Sequence, residues 1–168
     1  MNQEEEYEKI WKKIMYGLSV PARRVLMAAL TQYLNPYFEQ FKKNLPGGKE
    51  DFRCGFKVEE YSETFKVDAE RAVQEIEQGC TELFDYSMEY TQGGLFELEH
   101  RDRLISHYSR AAREKVYLLT LAPHLASRAL PLLMCLTLFE GKDRVDEQRP
   151  PEEKPSSTAE ESDEPSPK

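Results

Sequence analysis

The chain has 168 residues, 39% hydrophobic and 32% charged, and its 23 Lys and Arg against 31 Asp and Glu give a formal net charge of −8 at pH 7. That length holds one core-forming domain with appendages, and the acidic balance argues against a self-sufficient nucleic-acid binder, which is usually basic overall. Cys54, Cys80 and Cys135 have no CxxC spacing and read as reduced thiols of a cytoplasmic protein; no signal peptide is visible, and the longest apolar run, 130–139, is too short to cross a bilayer.

Residues 4–16 predict a charged helix with Tyr7, Ile10, Trp11, Ile14 and Met15 on one side, ended by Gly17. Ser19 then offers an N-cap and Pro21 a first-turn proline, and Val25, Leu26, Ala29, Leu30, Tyr33 and Leu34 carry an apolar face with Arg23, Arg24 and Gln32 pointing away. Residues 36–51, with the Pro46-Gly47-Gly48 break, read as a loop with at most one helical turn, and 53–58 as a short strand.

The organising stretch is 56–84. Val58, Tyr61 and Phe65 line a short helix; Lys66-Val67-Asp68 form a tight turn with Asp68 as N-cap; Ala69, Ala72, Val73, Ile76, Cys80, Leu83 and Phe84 stripe a longer helix. This is a helix-turn-helix, and the helix at 20–34 is the third element its stripes need. Downstream, 86–90 and 95–99 flank Gly93-Gly94 as a hairpin, and 104–109 and 115–121 are strands joined by a turn over 110–114. Residues 123–138 resume a helical pattern, interrupted or started afresh at Pro131. From Gly141 to the end there are 5 basic and 9 acidic residues, half the prolines, no aromatic and Val145 as the one large aliphatic, which predicts a disordered acidic tail. The fold expected is α+β: an N-terminal helix over 1–16, a winged helix with an antiparallel β-wing over 17–140, and a tail over 141–168.

Chemistry-bearing motifs are absent. His100, His107 and His124 have no metal-ligand spacing, no phosphate-binding glycine loop occurs, and Ser19 and Ser62 have no partnered histidine, so neither catalysis, a metal nor a cofactor is expected. Between Asp68 and Asp85 six carboxylates face one Arg71, which opposes entry into a DNA groove and reads as a solvated face. Positive charge gathers instead at Arg101, Arg103, Arg110, Arg113 and Lys115, with Arg23 and Arg24 at the second helix; these seven are the candidate DNA contacts, through phosphates. A wing strand exposes an edge, so Ile105, His107, Tyr117 and Leu119 are candidates for a dimer interface, with the stripe on helix 4–16 as a second route unless Trp11 and Ile14 complete the core.

In order and spacing, GLSVPARRVLMAAL (17–30), FKVEEYSETFKVDAERAVQEIEQGCTELFD (56–85) and RLISHYSRAAREKVYLLTLAPHLASRALPLL (103–133) resemble the first winged-helix domain of the plasmid replication initiators that bind iteron repeats. The matching positions are Leu18, Arg23, Arg24 and Leu26; Tyr61, Phe65, Ala72, Leu83 and Phe84; Tyr108; and Pro123, Leu125 and Leu133. In that family this domain dimerises and adds phosphate contacts beside a second winged helix, whereas here the acidic stretch follows. The resemblance implies a one-domain initiator, a truncated relative or a regulator, acting on double-stranded DNA with origin repeats, as a homodimer, or by pairing with a full-length initiator. Open alternatives are a protein-interaction module and a small dimeric winged-helix transcription regulator, the latter opposed by the acidic helix.

Overall fold

The computed structural model describes residues 3–35, 52–92 and 98–148; the loop expected at 36–51, the Gly93-Gly94 turn and residues 149–168 lie outside that set. Helix α1 spans Gln3–Gly17 and α2 spans Val20–Tyr33. Ser19 begins α2 as the sequence predicts, its hydroxyl accepting from the Ala22 N–H at 3.3 Å, and Pro21 occupies the first turn. Strand β1, Arg53–Lys57, leads into helix α3, Val58–Phe65, and helix α4, Ala69–Asp85. Between the two helices Lys66 is left-handed, at φ 57° and ψ 42°, a geometry that costs an L-residue about 1–2 kcal/mol. Two contacts hold it: the Val67 N–H donates to the Ser62 carbonyl at 3.2 Å and the Ser62 hydroxyl to the Val67 carbonyl at 2.5 Å. Asp68 then caps α4 by accepting from the Arg71 N–H at 2.8 Å.

Strand β2, Ser87–Gln92, pairs with β3, Leu98–Arg103, as a two-stranded ribbon. Its second strand lies C-terminal to the expected 95–99, which carries Arg101 and Arg103 into this ribbon and away from the wing. The wing is β4, Ile105–Ala111, and β5, Val116–Leu121, where expected; β1 adds to it, and the sheet order is β1-β5-β4, all antiparallel. Strand β5 is therefore central, and its alternation buries Tyr117, Leu119 and Leu121. Helix α5, Pro123–Ala126, stops before α6, Ala129–Gln148; the helix does start afresh, with Pro131 in its first turn where no amide hydrogen bond is lost. Helix α6 runs on through Gly141, so the first eight residues assigned to the tail belong to the folded domain.

Most of the stripes predicted at 58–84 close, with Val58, Tyr61, Phe65, Ala72, Ile76, Cys80 and Leu83 buried against Val25, Leu26, Ala29 and Leu30; Val73 and Phe84 are half-buried, and Ala69, at the start of α4, is exposed. Trp11, Ile14 and Met15 are buried too, so these three complete the core, and Ile10 is half-buried against it. Helices α2 and α4 touch at Gly79, where a Cβ would lie 2.7 Å from both the Pro21 carbonyl oxygen and Val25 Cγ2. Such proximity leaves no room for a side chain, so glycine is required there by approach rather than by backbone conformation.

The largest departure from the sequence reading is at Arg24, which does not face away. It is 1% exposed. Its Nε donates to Glu140 at 3.0 Å and its Nη1 to both oxygens of Glu75 at 3.2 Å; Glu75 also accepts from the Tyr61 hydroxyl at 3.0 Å and Arg71 Nε at 2.9 Å, and Glu140 from Arg144 Nε at 3.0 Å. Burial works against the guanidinium charge, but the hydrogen bonds and charges of Glu140 and Glu75 outweigh it and hold its pKa above the ordinary arginine value. Burial, with Glu75 beside it, likewise raises the Tyr61 phenol. Arg23 is also turned inward, donating to the Leu18 carbonyl at 2.6 Å and the Met15 carbonyl at 3.2 Å at the end of α1 and to Asp143 at 2.8 Å.

Three outcomes follow. Arg24→Ala leaves two buried carboxylates without their shared cation and costs about 3–5 kcal/mol in urea unfolding, while Arg24→Met combined with Glu75→Gln and Glu140→Gln recovers most of that loss. Gly79→Ala costs about 1–3 kcal/mol by overpacking. His124 stacks on Trp11 with ring centroids 5.8 Å apart, its Nδ1 3.8 Å from Asp102, and burial lowers its pKa although Asp102 opposes the shift. A folded pKa below the unfolded value means stability is complete above about pH 6.5 and lost as pH falls towards the folded pKa. The drop in melting temperature between pH 7.5 and 5.5 is accordingly smaller in His124→Asn than in the wild type.

Candidate nucleic-acid interface

Helix α4 occupies the place of a recognition helix, and the structure shows where its acids go. Glu75 is buried on Arg24. Glu77 accepts from the Tyr117 hydroxyl at 2.5 Å and pairs with Arg110 at 3.6 Å. Glu82 accepts from the Ser19 N–H at 2.9 Å and from the Ser19 hydroxyl, fastening the start of α2. Four of the six carboxylates, counting the cap Asp68, thus bind protein groups, which corrects the reading of this face as a merely solvated one. Burial followed by the hydrogen bond and charge of Glu77 raises the Tyr117 phenol, and burial with Glu77 nearby pushes the Cys80 thiol up to about 12, so neither group ionises near neutrality. Arg71, the single cation of α4, is spent on Glu75.

The cations predicted for DNA separate into three sets. Arg23 and Arg24 drop out, since one caps α1 and the other is buried; their acceptors lie as far as 120 residues away in sequence, beyond any local pattern. Arg101 and Arg103 sit on the β2–β3 ribbon, Arg101 paired with Glu89 across the strands at 2.9 Å and Arg103 with its guanidinium 4.7 Å from the Phe84 ring centroid. Arg110, Arg113 and Lys115 remain on the wing. Arg110 lies over the Tyr117 ring at 5.7 Å, and Arg113 and Lys115 are exposed in the β4–β5 turn, where Lys115 is left-handed at φ 52°.

That turn is tied to the helix-turn-helix. The Lys115 carbonyl accepts from the Val58 N–H, the first of α3, at 3.0 Å. The same pairing sets exposed Lys57 across from Val116. Lys57 was missed by charge counting because it lies about sixty residues from the wing; its signal was the strand at 53–58, whose partner was not identified. Lys57, Arg110, Arg113 and Lys115 gather at the junction of wing and α3, where Glu77, Glu114 and the exposed first-turn acids Glu59 and Glu60 of α3 balance their charge.

The dimer candidates are corrected by the same topology. Ile105, Tyr117 and Leu119 are at most 1% exposed within the chain's own core and offer nothing to a partner, whereas His107 is exposed on β4, the sheet's edge. Among the described residues no group of three or more His, Cys, Asp or Glu could hold a metal, and no helix is long and apolar enough to cross a membrane.

No known family and no curated protein matches the sequence. Among solved structures, the chain is similar to the X-ray structure of the WH1 domain of MSBI1.176, a replication protein isolated from a multiple sclerosis patient, with a TM-score of 0.62 and 16% identity over 78% of this chain and 93% of that one. The fold is thus a winged helix, similar to that of the WH1 domain of this replication protein, the likeness that the segments at 17–30, 56–85 and 103–133 pointed to.

Proposed function

We propose that this chain is a replication initiator-like protein, acting in DNA replication initiation or its control, in which the wing rather than the acidic α4 meets the phosphate backbone of double-stranded DNA. The observation that supports this reading is the gathering of Lys57, Arg110, Arg113 and Lys115 at the wing–α3 junction, with Arg113 and Lys115 exposed in the β4–β5 turn, beside a helix whose one arginine is already paired. Phosphate contacts fix position and carry no base information, so this domain binds duplexes of different sequence alike, and selectivity for origin repeats comes from copies or partners placed side by side. The chain works as a homodimer or paired with a full-length initiator. A second reading, a protein-interaction module without DNA affinity, is favoured by the net charge of −8 and the carboxylates along α4.

Binding of a fluorescent duplex at rising salt separates the two. Four phosphate contacts predict a micromolar affinity at low salt with a log–log salt slope of about −3 to −4. Replacing Arg113 and Lys115 together with Glu abolishes binding, while Arg113→Ala alone reduces the slope by about one. Glu77→Gln, which releases Arg110 from its ion pair, strengthens binding several-fold. Absence of binding at the lowest salt leaves only the interaction module, and binding indifferent to Arg113 and Lys115 removes the wing as the contact surface.

A further inference from the structure

Side chains from three elements meet at His124 of α5. Its ring stacks on Trp11 of α1, with centroids 5.8 Å apart and planes at 29°, and its Nδ1 lies 3.8 Å from Asp102 of β3. Two ring nitrogens there, Trp11 Nε1 and His124 Nε2, are buried without a hydrogen-bond partner. A neutral imidazole with its proton on Nδ1, towards Asp102, leaves a lone pair at Nε2. Protonation turns that lone pair into a second N–H, so two donors, one of them charged, are buried with nothing to accept from them. We propose that the Trp11–His124 stack is an acid-sensitive latch, in which protonation of His124 releases α1 from the winged-helix core while the core stays folded. The inference places a loss of stability in one helix and does not rest on the DNA contacts.

The charges around the ring decide which form the closed latch prefers. Asp102 on β3 favours the imidazolium, and so does the face of the Trp11 indole. On α1, Glu8 and Lys12 flank Trp11 but pair with each other at 3.9 Å in solvent. Helix α5 brings no other titratable group, Arg128 four residues on adds a like charge, and the charged residues of α6 begin only at Glu140. Burial outweighs the attractions and lowers the His124 pKa. Docking of α1 is therefore complete above about pH 6.5 and weakens as pH falls towards the folded pKa.

The attachment of α1 confines the effect to that helix. It meets the core along one stripe, Trp11, Ile14 and Met15 with Ile10 beside them, and its other face is in water. Its C-terminal end is fastened separately, by Arg23 donating to the Met15 and Leu18 carbonyls, and this leaves a tether when Trp11 lets go. The ties of the core itself, Arg24 with Glu75 and Glu140 and Tyr117 with Glu77, do not involve α1. Release uncovers an apolar strip that is hidden at neutral pH.

Trp11 is the chain's single tryptophan, so its emission reports on the latch alone. Between pH 7.5 and 5.5 the emission maximum of the full chain moves to the red. Over the same interval hydrogen-exchange protection, corrected for the pH dependence of intrinsic exchange, falls several-fold across residues 8–16 and holds in α2, α4 and β5. His124→Phe keeps a ring against Trp11 and removes the proton site, and makes both readouts alike at the two pH values. The wild type supplies a measurement free of any substitution: the ring protons of His124 titrate with a midpoint below about 6.5. A stationary emission maximum, protection lost equally from α2 and β5, an acid effect that survives in His124→Phe, or a His124 midpoint at or above the ordinary value each overturns the proposal.

Discussion

One guanidinium ties this domain together. Arg24 leaves α2 and meets Glu75 of α4 and Glu140 of α6, and through Glu75 it reaches Tyr61 of α3, so four helices converge on a single buried charge. Ion pairs removed from water add little stability over apolar packing of equal volume, because desolvation consumes most of the Coulomb gain. Their geometry, however, is exacting. A leucine at position 24 would tolerate several crossing angles of α6 over α2, whereas a guanidinium held by two carboxylates on different helices fixes all three relative to one another. Arg144 and Arg23 extend the same arrangement along α6, reaching the Thr64 carbonyl and Asp143 at 2.7 and 2.8 Å.

This arrangement explains why a helix in the recognition position is acidic. Glu75, Glu77 and Glu82 each organise a different neighbour: the buried arginine, the central strand through Tyr117, and the N-terminus of α2 through Ser19. A helix that offered these side chains to a groove would release all three neighbours. Negative charge is needed inside the fold at these three points, which makes α4 scaffold and is why the wing is proposed as the contact surface in its place. The backbone bond from Val58 to the Lys115 carbonyl keeps that wing from being an independent appendage, since it joins the end of the β4–β5 turn to the first turn of α3.

Much of this was legible in the residues. The caps at Ser19 and Asp68, the stripe from Ala72 to Leu83 and the strands at 105–111 and 116–121 follow from local chemistry and periodicity, which operate within a few residues. What escaped depends on distance. An arginine among polar neighbours on α2 carries no mark of carboxylates 51 and 116 residues away. The register of β3 depends on residues past the glycine turn, and a shift of a few positions moved Arg101 and Arg103 off the wing. The inward direction of Tyr117 and Leu119 had a signal, because β5 alternates, but choosing the buried side required knowing that β1 pairs with it and makes it central. Composition placed the end of the fold at Gly141, where charge begins, yet α6 continues because Asp143 and Arg144 have partners in the domain.

The claim that α4 is scaffold and the wing is the contact surface is tested most directly by titrating the ¹⁵N-labelled full chain with a short duplex at low salt and following backbone amide shifts. The account predicts that the largest changes fall on Lys57 and residues 112–116, with the exposed positions of α4, Glu70, Gln74 and Gln78, unmoved. Changes concentrated on those α4 positions, with the β4–β5 turn silent, would contradict it.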